Sequence, residues 1–329
     1  MDFYHEARRL VSTIDWEDDQ FNWQKAFVAA AFAAVAYEEV PQFELKKSKR
    51  AKLIPCDRYQ AHISRWETEQ RHASAKDFVK DLEIPEIEVI VRDRVLIIIS
   101  HLRSVIFVSF RGTTLSFADF KADLDIRKIR YPLEFGQSVR LHRGFFDAVI
   151  ECFDEVIECI QKINKDLNVP VYITGHSLGG AMAAIFYARL DFYARLDQSK
   201  FPSFGHYRHL RIPSATCCYS FGMPRYGDTS AKSLLPQPYH TFNELDIIPI
   251  LPPKLLGFAD SANERCLNAI PDVIAISKGD FPLRKKKGIV NVLGISDHRM
   301  ERYVERTNAM REKYKSSSNT DRGHDEMPY

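Results

Sequence analysis

A central, mostly parallel β-sheet with helices on both faces, an α/β architecture, is what this sequence predicts, on three observations. Runs rich in Ile and Val alternate with amphipathic helical stretches through the middle of the chain. The segment Val171-Tyr-Ile-Thr-Gly175-His-Ser177-Leu-Gly179-Gly180 reads as strand, sharp turn and helix. The chain has 329 residues, long for an ordinary domain but suited to one α/β domain with additions at both ends.

Taken in order, residues 1–40 read as helical, with Phe21, Phe27, Phe32 and Tyr37 supplying apolar surface, and Pro41 ends the stretch. Within it, 26–37 is too short to span a bilayer and reads as a buried, alanine-rich helix. The basic run from Lys46 to Lys52 fits a solvated loop better than a contact for an anionic surface. The β texture begins at Ile87, with strands expected at 87–91, 95–100 and 105–110. The amphipathic segment that opens at Leu115 follows a strand tip, a position that favours a lid over a plain surface helix. Phe145, Val149, Cys152, Phe153, Val156, Ile160 and Ile163 then form the stripe of a helix.

Beyond Gly180 the helix runs into two copies of Tyr-Ala-Arg-Leu-Asp, starting at Tyr187 and Tyr193. That offset is out of helical phase, so the copies cannot bury the same face, and a neutral duplication accounts for them. Strands are expected at 215–221 and 239–243, each followed by a turn-rich loop, and a last helix starts near Ser296. The organisation expected is a helical and irregular extension over 1–85, packed on an α/β domain over 86–312, and a polar, disordered tail over 313–329.

Composition narrows the setting. The formal net charge is +2, so nothing global points to nucleic acid. Residues Met1 to Arg8 show no signal-peptide pattern, and no apolar run reaches membrane-spanning length. The six cysteines do not form a disulfide framework. Cys152 and Cys159 lie about 10 Å apart along a helix, and the adjacent Cys217 and Cys218 face opposite sides of a strand. Cys56 and Cys266 can pair only through the fold. A reducing, cytoplasmic setting is expected, peripheral to membranes or lipid droplets, with export without a cleaved signal left open.

The chemistry centres on Ser177. At a strand–helix turn its Oγ stands exposed, while the Leu178 N–H at the helix start faces the place where an oxyanion forms. A serine needs a base, and the base needs a third group to orient it. Among the downstream histidines, His206 and His209 follow the helix too soon, His240 falls inside a strand and His324 lies in the tail, which leaves His298. For the acid, Asp246 directly follows a strand, with Asp228, Asp260 and Asp272 less well placed. His206 and His209 lack a third ligand, so no metal is expected, and ester hydrolysis by this constellation needs no cofactor.

Phe110-Arg-Gly-Thr113, His142-Arg-Gly-Phe145, Thr174-Gly-His-Ser-Leu-Gly-Gly180, Phe221-Gly-Met-Pro-Arg-Tyr-Gly-Asp228, Asn243-Glu-Leu-Asp-Ile-Ile-Pro249 and Asp297-His298 with Tyr303 together resemble the class 3, fungal-type, lipase family. The resemblance implies an α/β-hydrolase fold with a short lid, with Ser177 as nucleophile, Asp246 as acid and His298 as base. It also implies Thr113 as a second oxyanion donor beside Leu178, and 114–120 as the lid. Leu115, Phe117, Phe120, Leu255, Leu256 and Phe258 are candidates for an apolar rim facing acyl chains, with packing in the core the equal alternative. The activity implied is that of a serine carboxylester hydrolase on acylglycerols, with a lipid or ester substrate at a lipid–water interface. Phospholipase A1-type or short-chain esterase activity is the enzymatic alternative, with Arg284 to Lys287 attracting anionic headgroups. A non-catalytic, lipase-like interaction protein is the alternative of another kind.

Overall fold

Residues 106–110, 171–176 and 217–221 are buried along their whole length, the pattern of strands covered on both sides. The computed structural model describes residues 3–37, 86–92, 95–112, 126–133, 136–165, 168–195, 212–267, 274–275 and 297–320. In it these strands form the middle of a sheet. The strands are β1 (Glu86–Val91), β2 (Leu96–His101), β3 (Ile106–Phe110), β6 (Val171–His176), β7 (Cys217–Phe221), β8 (Tyr239–Asn243), β9 (Asn263–Leu267) and β10 (Ile274–Ala275), in that spatial order. The pairs from β3 to β9 are parallel, and antiparallel pairs finish both edges. A separate hairpin pairs β4 (Lys128–Pro132) with β5 (Ser138–His142).

The two-residue period of the strands sends alternate side chains into two cores. Phe107, Tyr172, Tyr219 and Phe221 enter one, beneath α1 (Phe3–Val11), α2 (Trp23–Val35) and α7 (Met300–Thr320). Ile106, Val108, Phe110 and Ile173 enter the other, beneath α3 (Arg143–Ile150), α4 (Phe153–Ile163) and α5 (Leu178–Arg195). A short α6 (Thr229–Leu234) lies by β5. Cys217 and Cys218 fall in opposite cores, as neighbours on a strand must.

Three elements differ from the expectation. The helical reading of residues 1–40 resolves into two helices, because Asp15 and Asp18 turn the backbone by accepting from the N–H groups of Glu17 and Gln20 at 3.0 and 2.9 Å. Asn22 then caps α2 through Lys25 N at 2.7 Å, a bond of about 1 kcal/mol. The stripe from Phe145 to Ile163 is shared by α3 and α4, which part at Glu151 and Cys152, where the Cys152 thiol bonds the Ala148 and Val149 carbonyls at 3.4 Å. Finally, α7 runs past Lys313 to Thr320, into the stretch expected to be disordered. A tertiary contact unread in the sequence favours it: Tyr314 stacks on Trp23 at 6.2 Å. In the duplicated segment, of which residues 196 and 197 lie outside the described residues, equivalent positions differ in burial, with Ala188 buried and its counterpart Ala194 exposed.

α2 is the inner helix, buried from Lys25 to Val35. Its one charge is met locally, since Lys25 Nζ donates to the Asp18 carboxylate at 3.1 Å and to the Asp18 carbonyl. α1 and α7 are tied by an ion pair between Glu6 and the buried Arg311, whose guanidinium also lies 5.0 Å from the Phe27 ring. The bidentate Arg9, and after it Arg311, hold the Glu6 carboxyl at about 2, below its usual 4.5. The folded state thus binds the proton more weakly than the unfolded state. The stabilisation is complete above the unfolded value and lost as pH falls toward the folded one. Urea midpoints of wild type and Glu6→Gln should therefore differ near neutral pH and draw together as pH falls from about 4.5 to about 2.

Candidate active site

The parallel strands all end at one edge of the sheet, and the residues that follow them meet there. After β6 the chain turns at Ser177, whose φ of 58° lies in the left-handed region. For a residue with a Cβ this costs about 1–2 kcal/mol, which the surroundings must supply. They do so through close backbone packing. A Cβ on Gly179 would lie 2.2 Å from the Phe110 carbonyl oxygen, and one on Gly175 would lie 2.4 Å from the Gly179 oxygen. Ser177 N donates to the Phe221 carbonyl at 2.9 Å, and its own carbonyl accepts from Gly180 N at 3.0 Å. Strand, turn and helix are locked together.

Ser177 Oγ lies 2.8 Å from Nε2 of His298, and Nδ1 of His298 lies 2.7 Å from Oδ2 of Asp246. A carboxylate only accepts, so Nδ1 carries the imidazole proton and Nε2 is left to accept from the serine hydroxyl. Asp246 follows β8, and its side chain is wholly buried. Its charge is matched by donors: Tyr303 O–H gives a 2.6 Å bond to Oδ2, and Ile248 N–H a 2.9 Å bond to Oδ1. Burial beside that carboxylate keeps the Tyr303 hydroxyl well above the usual tyrosine range, a neutral donor. The close approach also requires Gly222, at φ 55°, where a Cβ would fall 2.8 Å from Asp246 Oδ2.

His298 precedes α7, and its backbone is held from three directions. Asn243 Nδ2 donates to the Asp297 carbonyl at 2.6 Å, and Arg306 makes a forked pair with the Asp297 carboxylate at 3.0 and 3.3 Å. The third contact comes from His176, whose Nε2 lies 2.7 Å from the His298 carbonyl.

The other sequence candidates have different employment. His240 Nδ1 lies 3.1 Å from Glu264, and its Nε2 accepts from Met223 N at 3.0 Å. Asp228 caps α6 through Ala231 N at 2.9 Å. Asp260 holds Arg225 at 2.7 Å and pairs with Lys254. His206, His209, Asp272 and His324 lie outside the described residues, as do Thr113, Leu115, Phe117, Phe120 and Arg284 to Lys287. Gly112, the residue before Thr113, packs against Ser177, since a Cβ there would lie 3.1 Å from that of the serine.

The rim candidates divide. Leu255 is 96 % exposed and Leu256 42 %, on a turn held by Lys128, which donates to the Leu256 and Gly257 carbonyls at 2.7 and 3.0 Å. Phe258 is instead 3 % exposed, beneath Lys128 and beside His142, so it belongs to the interior and not to the rim. Among the described residues no group of His, Cys, Asp and Glu is arranged to hold a metal.

The sequence marked Tyr37 only as apolar surface and gave His176, Asn243 and Arg306 no role. The one signal available was position: His176 and Asn243 lie inside quoted motifs.

Residues 107–256 match the family model for lipases of class 3. Over that stretch the chain is similar to the lipases of class 3. Among curated relatives, it is 29 % identical over 200 residues to a lipase of Rhizomucor miehei, covering 59 % of this chain and 50 % of that one. It is 33 % identical over 181 residues to a secreted mono- and diacylglycerol lipase of Malassezia restricta, covering 52 % and 55 %. The chain thus spans about half the length of these curated relatives. Solved structures bear out the α/β-hydrolase fold. MDLA from Penicillium cyclopium matches with a TM-score of 0.57 at 17 % identity, over 83 % of this chain and 93 % of that one. A triacylglycerol lipase described as having a serine protease triad at its catalytic centre matches with 0.51 at 22 %, over 75 % and 95 %.

The Tyr303 hydroxyl has a measurable share in this arrangement. Tyr303→Phe should cost about 1.5–3 kcal/mol of stability, the range for a buried hydrogen bond to a charged group, read as a lowered urea midpoint.

Proposed function

We propose that the protein is a serine carboxylester hydrolase acting on acylglycerols. The observation that carries the reading is the unbroken hydrogen-bonded series from Asp246 through His298 to Ser177, set on a strained strand–helix turn. The names of the relatives, lipases and acylglycerol lipases, support it.

In this reading each step falls to a named residue. Nε2 of His298 takes the Ser177 proton as Oγ attacks the ester carbonyl, and Asp246 stabilises the imidazolium that forms. The carbonyl oxygen becomes an oxyanion, bound by the N–H groups of Leu178, at the start of α5, and Thr113. Each such donor is worth about 3 to 4 kcal/mol of barrier. His298 then protonates the departing alcohol, leaving an acyl group on Ser177, and a water activated by the same imidazole releases the fatty acid. No cofactor enters this sequence.

The acyl chain and its lipid surface are assigned to Leu255 and Leu256, together with Leu115, Phe117 and Phe120 of the lid. Leu255, left in water, forgoes about 1.5–3 kcal/mol, which contact with lipid would recover. Residues 86–312 are read as the hydrolase unit, with the helices of 1–85 covering one face. Among the described residues no helix is long and apolar enough to cross a membrane. A reducing, cytoplasmic location at a lipid surface is supported by the buried thiols of Cys152, Cys159, Cys217 and Cys218, although the Malassezia relative is named as secreted.

Hydrolysis of p-nitrophenyl butyrate and palmitate, of diacylglycerol and of anionic phospholipid vesicles, by wild type and by Ser177→Ala, tests this reading. Wild type should prefer diacylglycerol, and the variant should lose roughly 10⁶-fold in turnover. A preference for phospholipid would make it a phospholipase A1-type enzyme, a preference for butyrate an esterase. Silence on every substrate would favour an interaction protein.

A further inference from the structure

The imidazole of His176 lies inside the Gly-x-Ser-x-Gly pentapeptide, takes no part in the serine series and is almost wholly buried. Both its nitrogens are engaged. Nε2 meets the His298 carbonyl at 2.7 Å, and Nδ1 meets the Tyr37 hydroxyl at 2.8 Å. A carbonyl only accepts, so Nε2 bears the proton and Nδ1 accepts from the Tyr37 O–H. Burial, and secondly the neighbouring His298, hold the ring well below its ordinary titration range, so it stays neutral with one fixed tautomer.

We infer that His176 is a positioning residue for His298, oriented in turn by Tyr37; this rests on the reading of His298 as the base. Segment 297–298 reaches the site at the head of α7, remote in sequence from Ser177. The His176 bond fixes that backbone directly to the residue before the nucleophile, so nucleophile and base are referenced to the same turn. The two imidazoles are 4.6 Å apart, centroid to centroid, which leaves His298 little lateral freedom. Tyr37 extends the brace: its hydroxyl also lies 3.4 Å from the His176 carbonyl and occupies the space where a Cβ on Gly112 would fall. The residues just past α2 thereby touch the turn that holds the nucleophile and Gly112, and through His176 they reach the backbone of the base.

Three variants separate positioning from bulk packing. His176→Gln keeps an N–H near the Nε2 position, His176→Phe keeps the ring and loses the donor, and Tyr37→Phe loses one hydroxyl. On p-nitrophenyl butyrate, His176→Phe should lower kcat roughly 10- to 100-fold with KM unchanged, the cost of a displaced base. His176→Gln should recover most of the loss, and Tyr37→Phe should show a smaller fall in kcat alone. In a crystal structure of His176→Phe, the His298 ring should leave its 2.8 Å contact with Ser177. Unchanged kcat in His176→Phe, or equal losses in Gln and Phe, would overturn the assignment. If His176→Phe does not fold, the kcat of Tyr37→Phe decides. If wild type is itself inert, the hydrolase reading falls, and the position of His298 in the variant crystal decides the brace alone.

Discussion

The site depends on one backbone constraint, the left-handed turn at Ser177 between β6 and α5. A strained φ at a residue with a side chain persists only where the surroundings over-determine it. Here Gly175, Gly179 and Gly112 let three stretches of backbone approach within distances that a Cβ would forbid. That approach aims the serine hydroxyl away from the sheet and puts the end of β3 beside it. The strain is local, while the packing that offsets it spans the centre of the sheet, where parallel strands are buried on both faces.

From that fixed point the other functional groups are assembled by long-range contacts. Asp246 stands on the loop after β8, with Tyr303 and a backbone amide satisfying its charge. His298 arrives with the last helix and is held by Asn243, Arg306 and His176. Tyr303 belongs to both systems: it packs in the core beneath α7 and bonds the acid. The same helix therefore secures the position of the base and gives its partner a hydrogen bond. α2 closes the arrangement from the other side, since its Thr174 contact and the Tyr37 bond anchor β6 at two points.

Much of this was legible in the sequence because it is encoded locally. Strand–turn–helix periodicity around Ser177, the β runs from Ile87 to Phe110 and the alanine-rich α2 are short-range patterns with a direct physical meaning. The opposed faces of Cys217 and Cys218 follow from the strand period alone. Elimination left His298 and favoured Asp246 because the order of elements constrains which residues reach a strand end. What was missed is non-local or polar at short range. Asp15 and Asp18 break the first helical stretch by side-chain turns, Trp23 carries α7 past the expected boundary by stacking on Tyr314, and Phe258 is covered by Lys128. The brace from Tyr37 to His176 spans most of a domain in sequence, and no periodicity signals it.

The most direct test of the central claim is intact-protein and peptide mass spectrometry after treatment with a fluorophosphonate. The reagent requires a serine activated by a positioned base and is indifferent to the lipid that the protein prefers. The account expects one adduct, on Ser177, formed rapidly in wild type and nearly abolished in His298→Ala. No adduct in folded wild type, an adduct on another serine, or undiminished labelling in His298→Ala would contradict it.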